Sequence, residues 1–198
     1  MPPKTLISNL ESVLFLNKEN LMSQYSLKPF TPPPTPFSIG ADYQVTESQL
    51  EILFTLKGDI ATLNLPKPVE FPKRVEGLYH HTCVEIFLKR GKQYLEWNFS
   101  FSGDWCIFLF EGYRKKSESK FPLDSTLFNL SHISQSSSEA SIKALIPLNR
   151  LEFLEKVESQ IGFSAVLEHP KSVLSYWALT HVGEKPDFHQ EKSFIVKI

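Results

Sequence analysis

Only two cysteines, Cys83 and Cys106, occur in 198 residues, too few for a disulfide framework. The first twenty residues contain Glu11 and lack a long apolar stretch ending in small residues, so they do not read as a signal peptide. No run approaches about 18 consecutive apolar residues, which excludes a bilayer-spanning helix. Charge of one sign is missing as well: Lys plus Arg is 21, Asp plus Glu is 22, and the formal net charge is -1. That balance does not suit a protein built to coat nucleic acid or an anionic membrane. No internal repeat, CxxC pair, HExxH motif or nucleophile elbow is present. These absences describe a reduced, cytoplasmic protein with no nucleic-acid or membrane partner and no catalytic residue marked by a motif.

Aromatics, by contrast, reach 13%, sixteen of them Phe, and there are fourteen prolines. Five of those prolines fall within residues 28–36. Such a stretch is extended and fits neither a helix interior nor a central strand. We read 1–36 as an N-terminal extension, with scattered helical spacing over 5–27, followed by this stiff connector. A Pro-rich segment can also dock a partner's aromatic groove, so a protein partner is a second reading of it.

From residue 37 onward, short apolar runs alternate with turn signals. Strands are predicted at 49–57, 60–65, 83–89, 93–101, 104–111, 126–133, 139–146, 160–168, 173–179 and 193–198. The spacing argues for an all-β, two-sheet antiparallel β-sandwich over 37–198. One short crossover helix is predicted at 147–154, with Pro147 at its first position.

Ser102-Gly103 looks like a two-residue hairpin loop. That register pairs Phe101 with Asp104. Trp97, Phe99 and Phe101 then share a core face with Cys106, Phe108 and Phe110. Glu96, Asn98 and Ser100 share the opposite face with Trp105, Ile107 and Leu109. The opposite face mixes polar groups with apolar ones, as a pocket wall does. A partly covered outer face is the equal alternative.

Other residues could carry chemistry. His80, His81 and Cys83 are candidate zinc ligands at a strand entrance, with His181 or His189 as a distant third. A hydrogen-bonded edge histidine beside a core cysteine is the preferred alternative. Glu85 and Glu96 could form a glycosidase pair, but a one-residue slip in register would put them on opposite faces. The run 176–189 offers Trp177, His181, Lys185, Asp187, Phe188 and His189. Tyr113 and Arg114 lie in a nearby turn, where Arg114 could clamp an anionic group.

The segments GLYHHTCVEIFL (77–88), YLEWNFSFSGDW (94–105), FEGYR (110–114), and YWALTH through KPDFH (176–189) together resemble the bacterial DOMON-like proteins. These are related to the family 9 carbohydrate-binding modules. The resemblance covers residues 37–198 and implies a β-sandwich whose ligand is a sugar or haem. Haem-binding relatives use Met and His axial ligands, whereas the two methionines here, Met1 and Met22, precede the matching region. The resemblance therefore favours a non-catalytic module that binds a small ligand, most plausibly a saccharide. Its expected binding residues are Glu96, Asn98, Trp105, Tyr113, Arg114, Trp177, His181, Asp187 and His189. No cofactor is expected; haem or zinc on the His and Cys candidates is the alternative.

Overall fold

The computed structural model describes residues 22–119, 121–154 and 157–198. Within them the chain forms β1 (Ser23–Pro29), β2 (Phe37–Val45), β3 (Gln49–Gly58), β4 (Cys83–Arg90), β5 (Gln93–Ser100) and β6 (Trp105–Gly112). There follow β7 (Lys115–Lys116), β8 (Asn129–Gln135), β9 (Glu139–Pro147), β10 (Ser159–His169), β11 (Val173–Ala178) and β12 (Val196–Lys197). All pair antiparallel. One sheet runs β1-β2-β3-β9-β8. The other runs β7-β6-β5-β4-β10-β11, with β12 also beside β10.

The two sheets pack face to face as a β-sandwich. Side chains alternate along a strand, so one face of each supplies the core. In β3 the buried core residues are Leu50, Ile52, Phe54 and Leu56; in β9 the apolar ones are Ala140, Ile142, Ala144 and Ile146. From the other sheet come Val84, Ile86 and Leu88, Trp97 and Phe99, and Phe163. Phe54 meets Phe163 edge-on across the layers, 5.8 Å between centroids. Burial of each Leu, Ile, Val or Phe among them contributes about 1.5–3 kcal/mol.

β1 belongs to both sheets. Ser23 to Leu27 pair with β2, while Lys28 and Pro29 pair with β11. The boundary drawn at residue 36 therefore cuts through the sandwich, since β1 lies within the presumed extension. The helical spacing read over 5–27 lies mostly on residues outside those described, and 23–27 are strand. Pro29 is tolerated because it stands at a strand end.

Several other expectations are corrected. The run 60–65 is not a strand but a 3-10 turn, Ile60–Thr62, whose Ile60 and Leu63 both turn inward. The predicted helix over 147–154 is only a 3-10 turn, Leu148–Leu151, and Pro147 is the last residue of β9. β8 starts at Asn129, after a turn capped by Asp124, whose Oδ1 accepts from Thr126 N at 2.9 Å. The last strand shrinks to Val196–Lys197.

The hairpin register differs most consequentially. Ser100 N donates to Asp104 O and Gly103 N donates to Ser100 O, each at 2.9 Å. The loop thus holds three residues, 101–103, with Gly103 at φ +95°, as a three-residue hairpin loop favours. One added residue slips β6 by one position and reverses its faces. Trp97 now opposes Ile107, and Phe99 opposes Trp105, on the core side; Glu96 opposes Phe108, and Asn98 opposes Cys106, on the outer side.

Candidate functional site

The outer face of the β6-β5-β4-β10-β11 sheet is not solvated. Cys83, Phe87, Tyr94, Cys106, Phe108, Phe110 and Val166 rise from it into a second apolar cluster. Two chain segments cover this cluster. On one side lies the 3-10 turn Leu78–His80, entered through Gly77 in the left-handed region at φ +83°. On the other lies the segment after β11, which brings in Phe188 and Phe194. Phe194 stacks on Phe87, centroids 5.5 Å apart. It fits because β10 carries Gly162 beneath it: a Cβ there would stand 2.7 Å from the Phe194 ring. Burial on both faces explains why β4 and β5 read as near-continuous buried runs.

The two covers leave a cavity of about 320 Å³ between them, within the range of small-ligand sites. Its floor is Glu85 of β4, Glu96 of β5, Phe108 and Phe110 of β6 and Val166 of β10. Tyr79 and His80 form one wall; Tyr176, Pro186, Phe188 and His189 form the other. Arg114 and Lys116 stand at the mouth. The cavity therefore sets aromatic rings around a small set of polar groups.

Glu85 opposes Asn98 and Phe87 opposes Glu96, so both carboxylates occupy one face, diagonal to each other. The register left open by the sequence is thereby settled. Glu85 Oε2 accepts from Ser164 Oγ at 2.7 Å, and Glu96 Oε1 accepts from Asn98 Nδ2 at 2.7 Å. Burial, and then the charge of Glu96, pushes the Glu85 carboxyl up to about 8. Burial also raises Glu96, to about 6, against the pull of its Asn98 hydrogen bond. Two like charges in a desolvated floor disfavour joint ionisation, so at neutral pH the pair tends to share one proton.

His189 sits above them, and its hydrogen bonding favours one tautomer. Tyr94 Oη accepts from Arg114 N at 3.0 Å. Burial pushes the Tyr94 phenol up to about 12, so it keeps its proton. That proton is donated to His189 Nδ1, 2.9 Å away. Burial, then Arg114, lowers His189 to about 4, leaving it neutral with its hydrogen on Nε2. Nε2 stands 3.7 Å from Glu96 Oε2, so the ring offers a neutral N–H toward the carboxylate.

Asp187 fastens the cover. It accepts from Tyr113 Oη at 2.5 Å, Arg114 Nη2 at 2.8 Å, Gln190 Nε2 at 2.9 Å and His189 N at 3.1 Å. Burial alone would raise its carboxyl, but these donors, Tyr113 foremost, bring it below the usual range. Arg114 itself stands at φ 53°. Asp187→Asn removes the charge and one acceptor oxygen. It is expected to cost about 1–3 kcal/mol, read as a lower urea midpoint, with faster amide exchange over 181–190.

Of the sequence-predicted site residues, Glu96, Arg114 and His189 line the cavity. Asn98 lies beneath it, and Tyr113 and Asp187 brace its mouth. Trp105 does not join them: the reversed β6 register turns it to the core side, 5.0 Å from the Phe128 ring. Trp177 is buried in the main core, its Nε1 donating to Ser175 Oγ at 3.0 Å. His181 is drawn to the β1 end, its Nε2 2.8 Å from Lys28 O. Glu85, Phe108, Phe110, Lys116, Tyr176 and Phe188 complete the site. Phe108 and Phe110 had been assigned to the core, and the regular alternation of β6 carried the signal once the loop length is known.

The candidate metal ligands are dispersed. His81 Nδ1 lies 2.8 Å from Glu168 Oε2 and pins the 77–82 turn to β10; His80 faces the cavity wall beside Tyr79. Burial pushes the Cys83 thiol well above its usual range, which suits a packed side chain rather than a thiolate ligand. Among the described residues no group of three or more His, Cys, Asp or Glu is placed to hold a metal ion.

No protein-family model matches the chain, and no curated protein matches it. Solved structures do. A candidate carbohydrate-binding protein from Bacteroides uniformis superposes with a TM-score of 0.66 at 13% identity, covering 93% of this chain and 89% of that one. A family 9 carbohydrate-binding module from Caldicellulosiruptor kristjanssonii, solved with cellotriose, gives 0.59 at 10% identity, covering 89% and 80%. The same organism's module with glucose gives 0.53 at 10% identity, covering 89% and 81%. The chain thus shares the β-sandwich fold of these proteins.

Proposed function

We propose that the outer-face cavity binds a saccharide without reacting with it, as a DOMON-like relative of the family 9 modules. The observation that carries this is the combination in one cavity of aromatic walls with Glu85 and Glu96. Ring faces of Tyr79, Phe108, Tyr176 and Phe188 suit the apolar faces of a sugar ring. The carboxylates, with the Nε2–H of His189, suit its hydroxyls. Similarity of fold to modules solved with glucose and cellotriose supports the same reading.

Isothermal calorimetry against a panel including glucose and cellotriose tests this. Saturable binding is expected, weakened about tenfold by Tyr176→Ala through lost ring contact. Absence of heat with every sugar, in protein shown to be folded, would remove the proposal.

A further inference from the structure

Among the described residues, the cavity floor is rich in acceptors and carries no cation of its own. Buried carboxylates are seldom left without a positive partner, because desolvation of the charge is costly. Yet Glu85 has Ser164 Oγ at 2.7 Å and Cys83 Sγ at 4.0 Å, and Glu96 has Asn98 and the neutral His189. Asn98 Oδ1, buried and opposite Glu85 in register, has no hydrogen-bond partner. The cations at the mouth, Arg114 and Lys116, favour the charged carboxylates only at a distance, and their direct contacts are with other groups. Arg114 is held by Asp187 at 2.8 Å, and Lys116 Nζ lies over the Phe108 ring, 3.9 Å from its centroid. His80 stands on the far wall beside Tyr79. Tyr176 and Phe188 add aromatic rings to the lining, and such rings attract a cation.

We propose that the ligand brings a protonated amine to Glu85 and Glu96, so that the saccharide class this pocket takes is an amino sugar. This rests on the saccharide reading above. The ammonium supplies the missing positive charge and three N–H donors, while the sugar ring packs against the aromatic walls. Because the empty pair holds on to a proton, the amine displaces it, and binding releases a proton that a neutral sugar would not.

Calorimetry on the full chain at pH 7 compares glucosamine with glucose, N-acetylglucosamine and glucuronate, in two buffers of different ionisation enthalpy. Glucosamine is expected to bind at least about tenfold more tightly than the other three, as charge-assisted hydrogen bonds warrant. Its heat is expected to depend on the buffer, and Glu96→Gln to erase the preference. The wild-type comparison decides the matter even if that variant fails to fold. Equal or better binding of glucose or N-acetylglucosamine overturns the amine inference and leaves the saccharide reading standing. Preference for glucuronate also overturns it and transfers recognition to Arg114 and Lys116. No binding by any of the four overturns the amine inference, and the saccharide reading falls with it only if cellotriose also gives no heat.

Discussion

Phe194→Ala is expected to cost about 3–5 kcal/mol of stability, as large aromatic truncations in packed sites do, and to abolish ligand binding. The ring is buried at 3% exposure and touches what matters on both sides. It stacks on Phe87 and lies 5.6 Å from the Tyr94 ring. It occupies the hollow above Gly162, which has no side chain to fill the space left behind. The covering segment is anchored there and at Asp187, and His189 lies between the two anchors. Loss of the ring therefore loosens the Tyr94–His189 hydrogen bond, and with it one wall of the cavity. Chemical denaturation gives the stability change and calorimetry the binding. A loss under 1 kcal/mol would mean that the outer cluster contributes little and that the cover is held by Asp187 alone.

Glu85→Gln is expected to stabilise the folded chain by about 2 kcal/mol at pH 8, with a smaller gain at pH 5. A carboxyl whose pKa is raised on folding contributes stability below its unfolded value of 4.5 and loses it as pH climbs toward about 8. Glutamine keeps the shape and can still accept from Ser164, but it carries no charge to desolvate. His189 works in the opposite direction. Its lowered value favours the neutral ring, so its contribution is present above 6.5 and is lost as pH falls toward about 4. His169, lowered by burial, adds to this. Between pH 8 and 6.5 the carboxylates dominate, so the wild-type melting temperature rises on acidification while that of Glu85→Gln stays nearly flat. Melting curves across that window check this; parallel profiles for the two proteins would show that Glu85 is already ionised at neutral pH.

The sandwich was legible from the sequence because most of its strands carry period-2 burial or uninterrupted apolar runs. β5 shows how far this goes: Trp97 and Phe99 were expected inside and Glu96 and Asn98 outside, and so they stand. β6 shows where it stops. Its alternation is as regular, but which half faces inward depends on whether the loop holds two residues or three, and Ser102-Gly103 fits either. Trp105 was consequently placed with the ligand, and Phe108 and Phe110 with the core. β1 was missed because Ser23, Gln24 and Ser26 make it polar and Pro29 ends it. Its partner β11 is non-local, which no periodicity reveals. The cavity was only half visible for a similar reason. Glu96, Arg114 and His189 stood in recognisable segments, but Tyr79 and Phe188 become walls only when 78–80 and the segment after β11 fold over the sheet face that carries Tyr176.

The double membership of β1 has a consequence for the order in which the protein is built. Its pairing with β2 is local and can form as soon as residue 45 has been synthesised. Its pairing with β11 joins Lys28 and Pro29 to Ala178 and Trp177, nearly the whole described chain apart. At ribosomal rates of about 5–20 residues per second, the second edge of β1 waits roughly 7–30 s for its partner. A β1-β2-β3 meander formed during that wait would have an open edge and an uncovered apolar face, an arrangement prone to mispairing. The polar face of β1 and the terminal Pro29 that hid this strand from the sequence reading are what protect it through that interval.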